Sequence, residues 1–192
     1  GELIINGCTL TNNANYSSMR IWCTTDDDTS VTINGGTFNG SIDFQTVNGN
    51  PNKGILTINA GTFNPDTYTK SSVRLLGFGA DVDEMFGYIK GGEFKGAIKI
   101  KKYGTVQEVN SQVFYISGGI FSDNPTEFLA IGYATEQDAE GKWIIKECPV
   151  KIGDAAYYAT LADAVAAVQE GETITILAGK TLEEGTVKLP AA

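Results

Sequence analysis

Three consecutive carboxylates, Asp26, Asp27 and Asp28, form the main acidic run of the chain. Together they could share a Ca²⁺ ion, which takes about six to eight oxygen ligands. Consecutive residues of an extended chain point opposite ways, and no glycine-turned ligand loop follows, so the run also reads as a solvated loop tip. Asp81, Asp83 and Glu84 make a second, sparser acidic group of the same kind. For acid–base work the available groups are Asp43, Lys99 and either Arg20 or Arg74, each on a segment where charges alternate with apolar residues. Such side chains could meet across neighbouring strands, although cross-strand ion pairing is the plainer use of them. Histidine is absent, which removes the commonest general base, the commonest metal ligand and every Ser-His or Cys-His dyad. For binding, Tyr16, Trp22, Tyr68 and Tyr103 lie in or beside variable loops. Their rings could stack on the apolar faces of sugars while Asn and Asp neighbours serve the hydroxyls, or they could equally be core. Trp143 reads as packing within a closing hairpin.

The elements that must position these residues are repeats. A short apolar strand, a glycine-rich corner and then an aromatic or leucine recur five times, at Ile5-Asn6-Gly7-Cys8-Thr9-Leu10, Ile33-Asn34-Gly35-Gly36-Thr37-Phe38, Ile58-Asn59-Ala60-Gly61-Thr62-Phe63, Ile89-Lys90-Gly91-Gly92-Glu93-Phe94 and Ile116-Ser117-Gly118-Gly119-Ile120-Phe121. A period that is similar but not fixed suits a solenoid whose loops vary while its strands stay in register. A second strand follows each corner, most clearly over 39–44 and 95–100, with apolar residues alternating with Asp, Lys or Arg. That period of two marks a strand with one face buried and one wet. Stacking like on like places Leu10, Phe38, Phe63, Phe94 and Phe121 in one internal column and the five isoleucines in another. It also allows a partial hydrogen-bonded ladder of Asn6, Asn34 and Asn59, which Lys90 and Ser117 interrupt.

After Phe121 the pattern changes. Residues 122–130 read as a short turn, and 133–145 as two strands around Ala139-Glu140-Gly141, a unit expected to close the solenoid. From Pro149 a small hairpin, a helix capped by Thr160 and a strand over 173–177 are expected, with Gly171 as the helix stop. The division is therefore 1–148 for the repeats with their closing hairpin and 149–192 for a cap or the start of another module. The 192 residues, 42% hydrophobic, can bury a core, and the net charge of −9 repels nucleic-acid phosphates. Neither nucleic-acid binding nor membrane insertion of this segment is expected. An opening Gly1 in place of methionine points to a trimmed chain, so any leader or anchor would lie outside it. The cysteines, Cys8, Cys23 and Cys148, show no zinc spacing; a Cys8–Cys23 bridge stands beside the plainer reading of small buried thiols.

The Ile-x-Gly-Gly-x-Phe repeats resemble right-handed parallel β-helix domains of the pectin-lyase-like superfamily, especially those of large repetitive surface proteins of gut bacteria. The resemblance covers roughly residues 1–148. The tail from Lys151-Ile152-Gly153 to Ile174-Thr175-Ile176-Leu177 looks like the helix-and-strand cap that opens a new β-helix in such proteins. The resemblance implies an all-β, right-handed parallel β-helix of about five coils with a small α+β C-terminal segment. It also implies a secreted or cell-surface bacterial protein whose partners are glycans or other cell-surface proteins. Non-catalytic structural or adhesive work is the expectation, with a polysaccharide lyase or glycoside hydrolase as the alternative. No cofactor is expected other than the Ca²⁺ that Asp26, Asp27 and Asp28 could hold.

Overall fold

The computed structural model describes residues 1–12, 17–23, 29–46, 53–78, 84–103, 113–154, 156–180 and 182. Each repeat contributes three strands rather than the two expected. The first supplies β1 (Glu2–Ile5), β2 (Thr9–Thr11) and β3 (Ser17–Cys23), and the second β4 (Thr29–Ile33), β5 (Thr37–Asn39) and β6 (Ser41–Thr46). The third supplies β7 (Lys53–Ile58), β8 (Thr62–Asn64) and β9 (Ser71–Phe78), the fourth β10 (Glu84–Ile89), β11 (Glu93–Phe94) and β12 (Ala97–Tyr103), and the fifth only β13 (Phe114–Ile116) and β14 (Ile120–Phe121). The extra strands are two or three residues long, too short to show an alternation in sequence.

Like strands stack in parallel. The first sheet runs β1-β4-β7-β10-β13, the second contains β2-β5-β8-β11-β14, and the third runs β3-β6-β9-β12. The result is a parallel β-solenoid. With four strands in the third sheet it makes about three full turns, fewer than the five coils expected, because the fifth repeat leaves the solenoid after its second face. The corner between the first two sheets explains the glycines. Gly36, Gly61, Gly92 and Gly119 all have φ between 112° and 133°, a region that side chains disfavour. A Cβ on Gly36 would also lie 2.7 Å from the Cys8 carbonyl oxygen.

The internal columns form as the repeats require. Ile5, Ile33, Ile58, Ile89 and Ile116 are in register across the first sheet. Phe38, Phe63, Phe94 and Phe121 stack with centroids 5.0, 4.6 and 4.7 Å apart and planes within 7°. A second adjustment is steric: Gly87 stands opposite Phe114, and a Cβ there would come within 2.3 Å of that ring. The cysteines are all free, so Cys8 and Cys23 do not bridge. Cys23 points into the core at the end of β3, where a Cβ on Gly54 would collide with its sulfur, while Cys8 packs beside the glycine corner.

A one-turn 3₁₀ helix (Thr126–Phe128) and the hairpin β15 (Tyr133–Gln137) and β16 (Trp143–Glu147) close this end. β16 pairs antiparallel with β14, placing Trp143 opposite Phe121, and Leu129 bridges to Ile116. The tail forms a separate antiparallel sheet of β17 (Val150–Ile152), β18 (Ala156–Tyr158) and β19 (Ile174–Ile176), ordered β18-β17-β19, under helix α1 (Leu161–Ala167). The Thr160 hydroxyl accepts the Asp163 N–H at 3.0 Å as the cap, and the helix ends at Ala167, before Gly171. Val150, Ile152 and Ala164 make a small core distinct from that of the solenoid. No helix among the described residues is long and apolar enough to cross a membrane.

Candidate functional site

The residues singled out for binding do not converge. Tyr16 and the carboxylates Asp26, Asp27 and Asp28 lie outside the described residues, as do Asp81 and Asp83. Trp22 is 53% exposed on the outer face of β3, at one edge of the third sheet. Tyr103 ends β12 at the opposite edge, two strands away. Tyr68 is 80% exposed on a turn. That turn is pinned by Asp66, whose Oδ1 accepts the backbone N–H of Tyr68 at 2.9 Å and of Thr69 at 2.5 Å. Burial pushes the Asp66 carboxyl up, but the Thr69 hydroxyl and N–H, the Arg74 charge and the Tyr68 N–H outweigh it and hold it below the usual value. Among the described residues no group of three or more acidic or cysteine side chains is placed to hold a metal ion.

The acid–base candidates do come together. Arg20, Asp43, Arg74 and Lys99 occupy one row across the third sheet, each in register with the next. The row is on the outer face as the alternation indicates, yet Asp43 is 0% exposed and Arg74 is buried beside it. Arg74 Nε donates to Asp43 Oδ1 at 2.8 Å and Nη2 to Oδ2 at 2.9 Å, while the Ser41 hydroxyl donates to Oδ1 at 3.0 Å. Arg20 Nη2 stands 3.7 Å from Oδ2 on the other side. A fork-to-fork pair of this geometry fixes a carboxylate as an ion and leaves it little capacity to accept a substrate proton. Lys99 Nζ turns aside to donate to the Thr69 carbonyl at 3.3 Å. The Cys23 thiol offers no nucleophile either, since burial pushes it up to about 12.

A different surface gathers groups suited to recognition. Along the first sheet the side chains alternate, with Met85, Gly87 and Ile89 facing the core and Phe86 and Tyr88 facing out. Register then sets Ile4, Thr32, Thr57, Tyr88 and Tyr115 in one outward row and Glu2, Ser30, Ile55 and Phe86 in the next. Tyr88 and Tyr115 stack at 5.3 Å with planes 20° apart, and Phe86 closes the cluster at 6.5 Å from Tyr88 and 6.3 Å from Tyr115. Ile55 beside them is 42% exposed. One step past the inward isoleucines, Asn34 Nδ2 donates to Asn6 Oδ1 at 2.8 Å and Asn59 Nδ2 to Asn34 Oδ1 at 2.7 Å. This is the expected asparagine ladder, and it lies on the exposed border of the aromatic face. A second one, not expected, links Asn64 and Asn39 with Thr11 on the second sheet.

Phe86, Tyr88 and Tyr115 were missed because loops, not strands, were searched for recognition groups. The signal was nevertheless there: aligning the repeats on their isoleucines shows aromatics at the preceding, outward position in the fourth and fifth. The face carries one charge in its two described rows, Glu2 at the β1 edge. No family model, curated protein or solved structure matches this chain.

Proposed function

We propose that this chain is a non-catalytic structural and adhesive segment of a secreted, bacterial cell-surface protein, with the right-handed, pectin-lyase-like form of the β-helix, and that it binds glycans weakly. The observation that carries the reading is the Phe86, Tyr88 and Tyr115 cluster, held on a rigid sheet and bordered by an amide ladder. Rings fixed by strand register give up little freedom on binding, and apolar sugar faces stack on them while amides and hydroxyls serve the sugar hydroxyls. The binding site is moved from the loop aromatics to this face. In this reading the tail, residues 149–192, opens a further module.

The alternative, a polysaccharide lyase or hydrolase, draws on the Arg20, Asp43, Arg74 and Lys99 row, but there the carboxylate is already committed to Arg74. A glycan array probed with the wild-type protein and with Tyr88→Ala/Tyr115→Ala tests the proposal. Binding that drops in the double variant supports it, and a silent array leaves only a spacer. Incubation with pectins and alginate, with and without Ca²⁺, should release neither unsaturated products nor new reducing ends. Turnover abolished by Asp43→Asn, with the fold intact by circular dichroism, would replace adhesion with catalysis.

A further inference from the structure

Resting on that reading of the first-sheet face, we infer that its ligand is a neutral, linear, β-1,4-linked polysaccharide lying along the solenoid axis, across the strands rather than parallel to them. The rows of the face run from coil to coil, so whatever lies along a row meets a chemically similar group once per strand spacing, about 4.8 Å. The Tyr88 and Tyr115 rings repeat at 5.3 Å, a step comparable with one sugar of an extended β-1,4-linked chain. Such a chain can therefore place successive rings over Tyr115, Tyr88, Thr57 and Thr32 without leaving register. The asparagine ladder runs parallel to that row on the same sheet, two residues further along each strand. It uses one N–H of each donating amide, and the other is directed to ligand hydroxyls.

Charge and area choose among occupants. The protein carries −9 overall and the two outward rows hold only Glu2. A second copy would bring the same negative charge against the face, and a polyuronate would bring one carboxylate per sugar. Three rings of roughly 150–250 Å² each, already half-buried, also fall short of the about 800 Å² per partner that a stable protein interface needs. A neutral polymer escapes both objections. Five strands span about 19 Å, room for about four sugars.

Calorimetry on the full chain with cello-, xylo- and manno-oligosaccharides of two to six sugars, and with pentagalacturonate, tests this. For at least one neutral series, affinity should rise with each sugar up to about four and then level off, with pentagalacturonate weaker than its neutral counterpart. Tyr88→Ala and Tyr115→Ala should each weaken the pentamer about tenfold, and Tyr115→Phe should not. All three should keep the wild-type urea midpoint to within the small change of a surface substitution. A nitroxide on the reducing end should broaden amides at one end of the sheet, around β1 or β13. Broadening confined along β10 from Glu84 to Ile89 would show a ligand parallel to the strands and overturn the inference. So would equal affinity for dimer and pentamer, or preference for the polyuronate. A positive glycan array with no response to these oligosaccharides removes the linear polymer and leaves adhesion standing, whereas a silent array removes both.

Discussion

A carboxylate cut off from water has to be answered by its neighbours, and Asp43 is answered by Arg74 twice, by Ser41 and by Arg20. Removing its charge leaves the Arg74 guanidinium buried and unpaired, so Asp43→Asn should cost about 3–5 kcal/mol, read from the urea midpoint. Replacing both partners, as Asp43→Asn with Arg74→Leu, should recover most of that loss. A double variant as unstable as the single one would show that the cost lies elsewhere. Asp66 gives the pH dependence. Its folded carboxyl is held below the usual value, so the unfolded chain binds its proton first as pH falls. The stabilisation is complete above the ordinary carboxylate range, near pH 4, and fades as pH drops through the folded value. Asp66→Asn should flatten that part of a stability profile and leave the profile near pH 7 to 8 unchanged in slope. Alternation placed Asp43, Arg74 and Lys99 on the outer side of their strands. It carries no information on what covers that side, which is why the burial of Asp43 and Arg74 was invisible in sequence.

Between single residues and the whole, the stacked phenylalanines act as one element. Phe63 is fully buried with a parallel ring on either side. Phe63→Ala should cost about 3–5 kcal/mol, since the gap is walled by rings that strand register prevents from closing it. A loss below about 1 kcal/mol would mean the column relaxes as freely as a surface. The five repeats made this column readable, because every coil restates the same inward position. They also concealed the short second-sheet strands, whose outward residues (Thr9, Thr37 and Thr62) repeat as regularly as a corner would. The tail was read from capping chemistry, and Thr160 does cap α1. What docks it was not foreseen: Lys180 donates to Glu147 at 2.7 Å and lies 4.1 Å from the Tyr133 ring. Truncation after Glu147 should leave the repeats folded by circular dichroism while newly exposing the Gly132 and Cys148 region to a hydrophobic dye. Loss of all structure on truncation would move the boundary into the tail.

At the scale of the whole molecule, the parallel ladders mean that each coil rests only on its neighbours, and every inter-coil hydrogen bond points along the solenoid axis. The architecture was legible because such a fold writes one pattern repeatedly, whereas the binding face was not, because two or three aromatics in late repeats are a local departure from that pattern. The direction of the bonds has a mechanical consequence. Pulled by its two ends, the solenoid is loaded bond after bond, as a zipper is, rather than in shear across whole strands. Each coil of 25 to 31 residues should then peel separately and lengthen the chain by roughly 80–110 Å at full extension. Optical tweezers should record a staircase of such steps at modest force, and one rupture releasing every coil together would show that the aromatic column binds the stack into a single unit. A chain that yields in steps spends the work of pulling coil by coil and can rewind when the load falls, so it would behave as an extensible tether and not as a rigid rod.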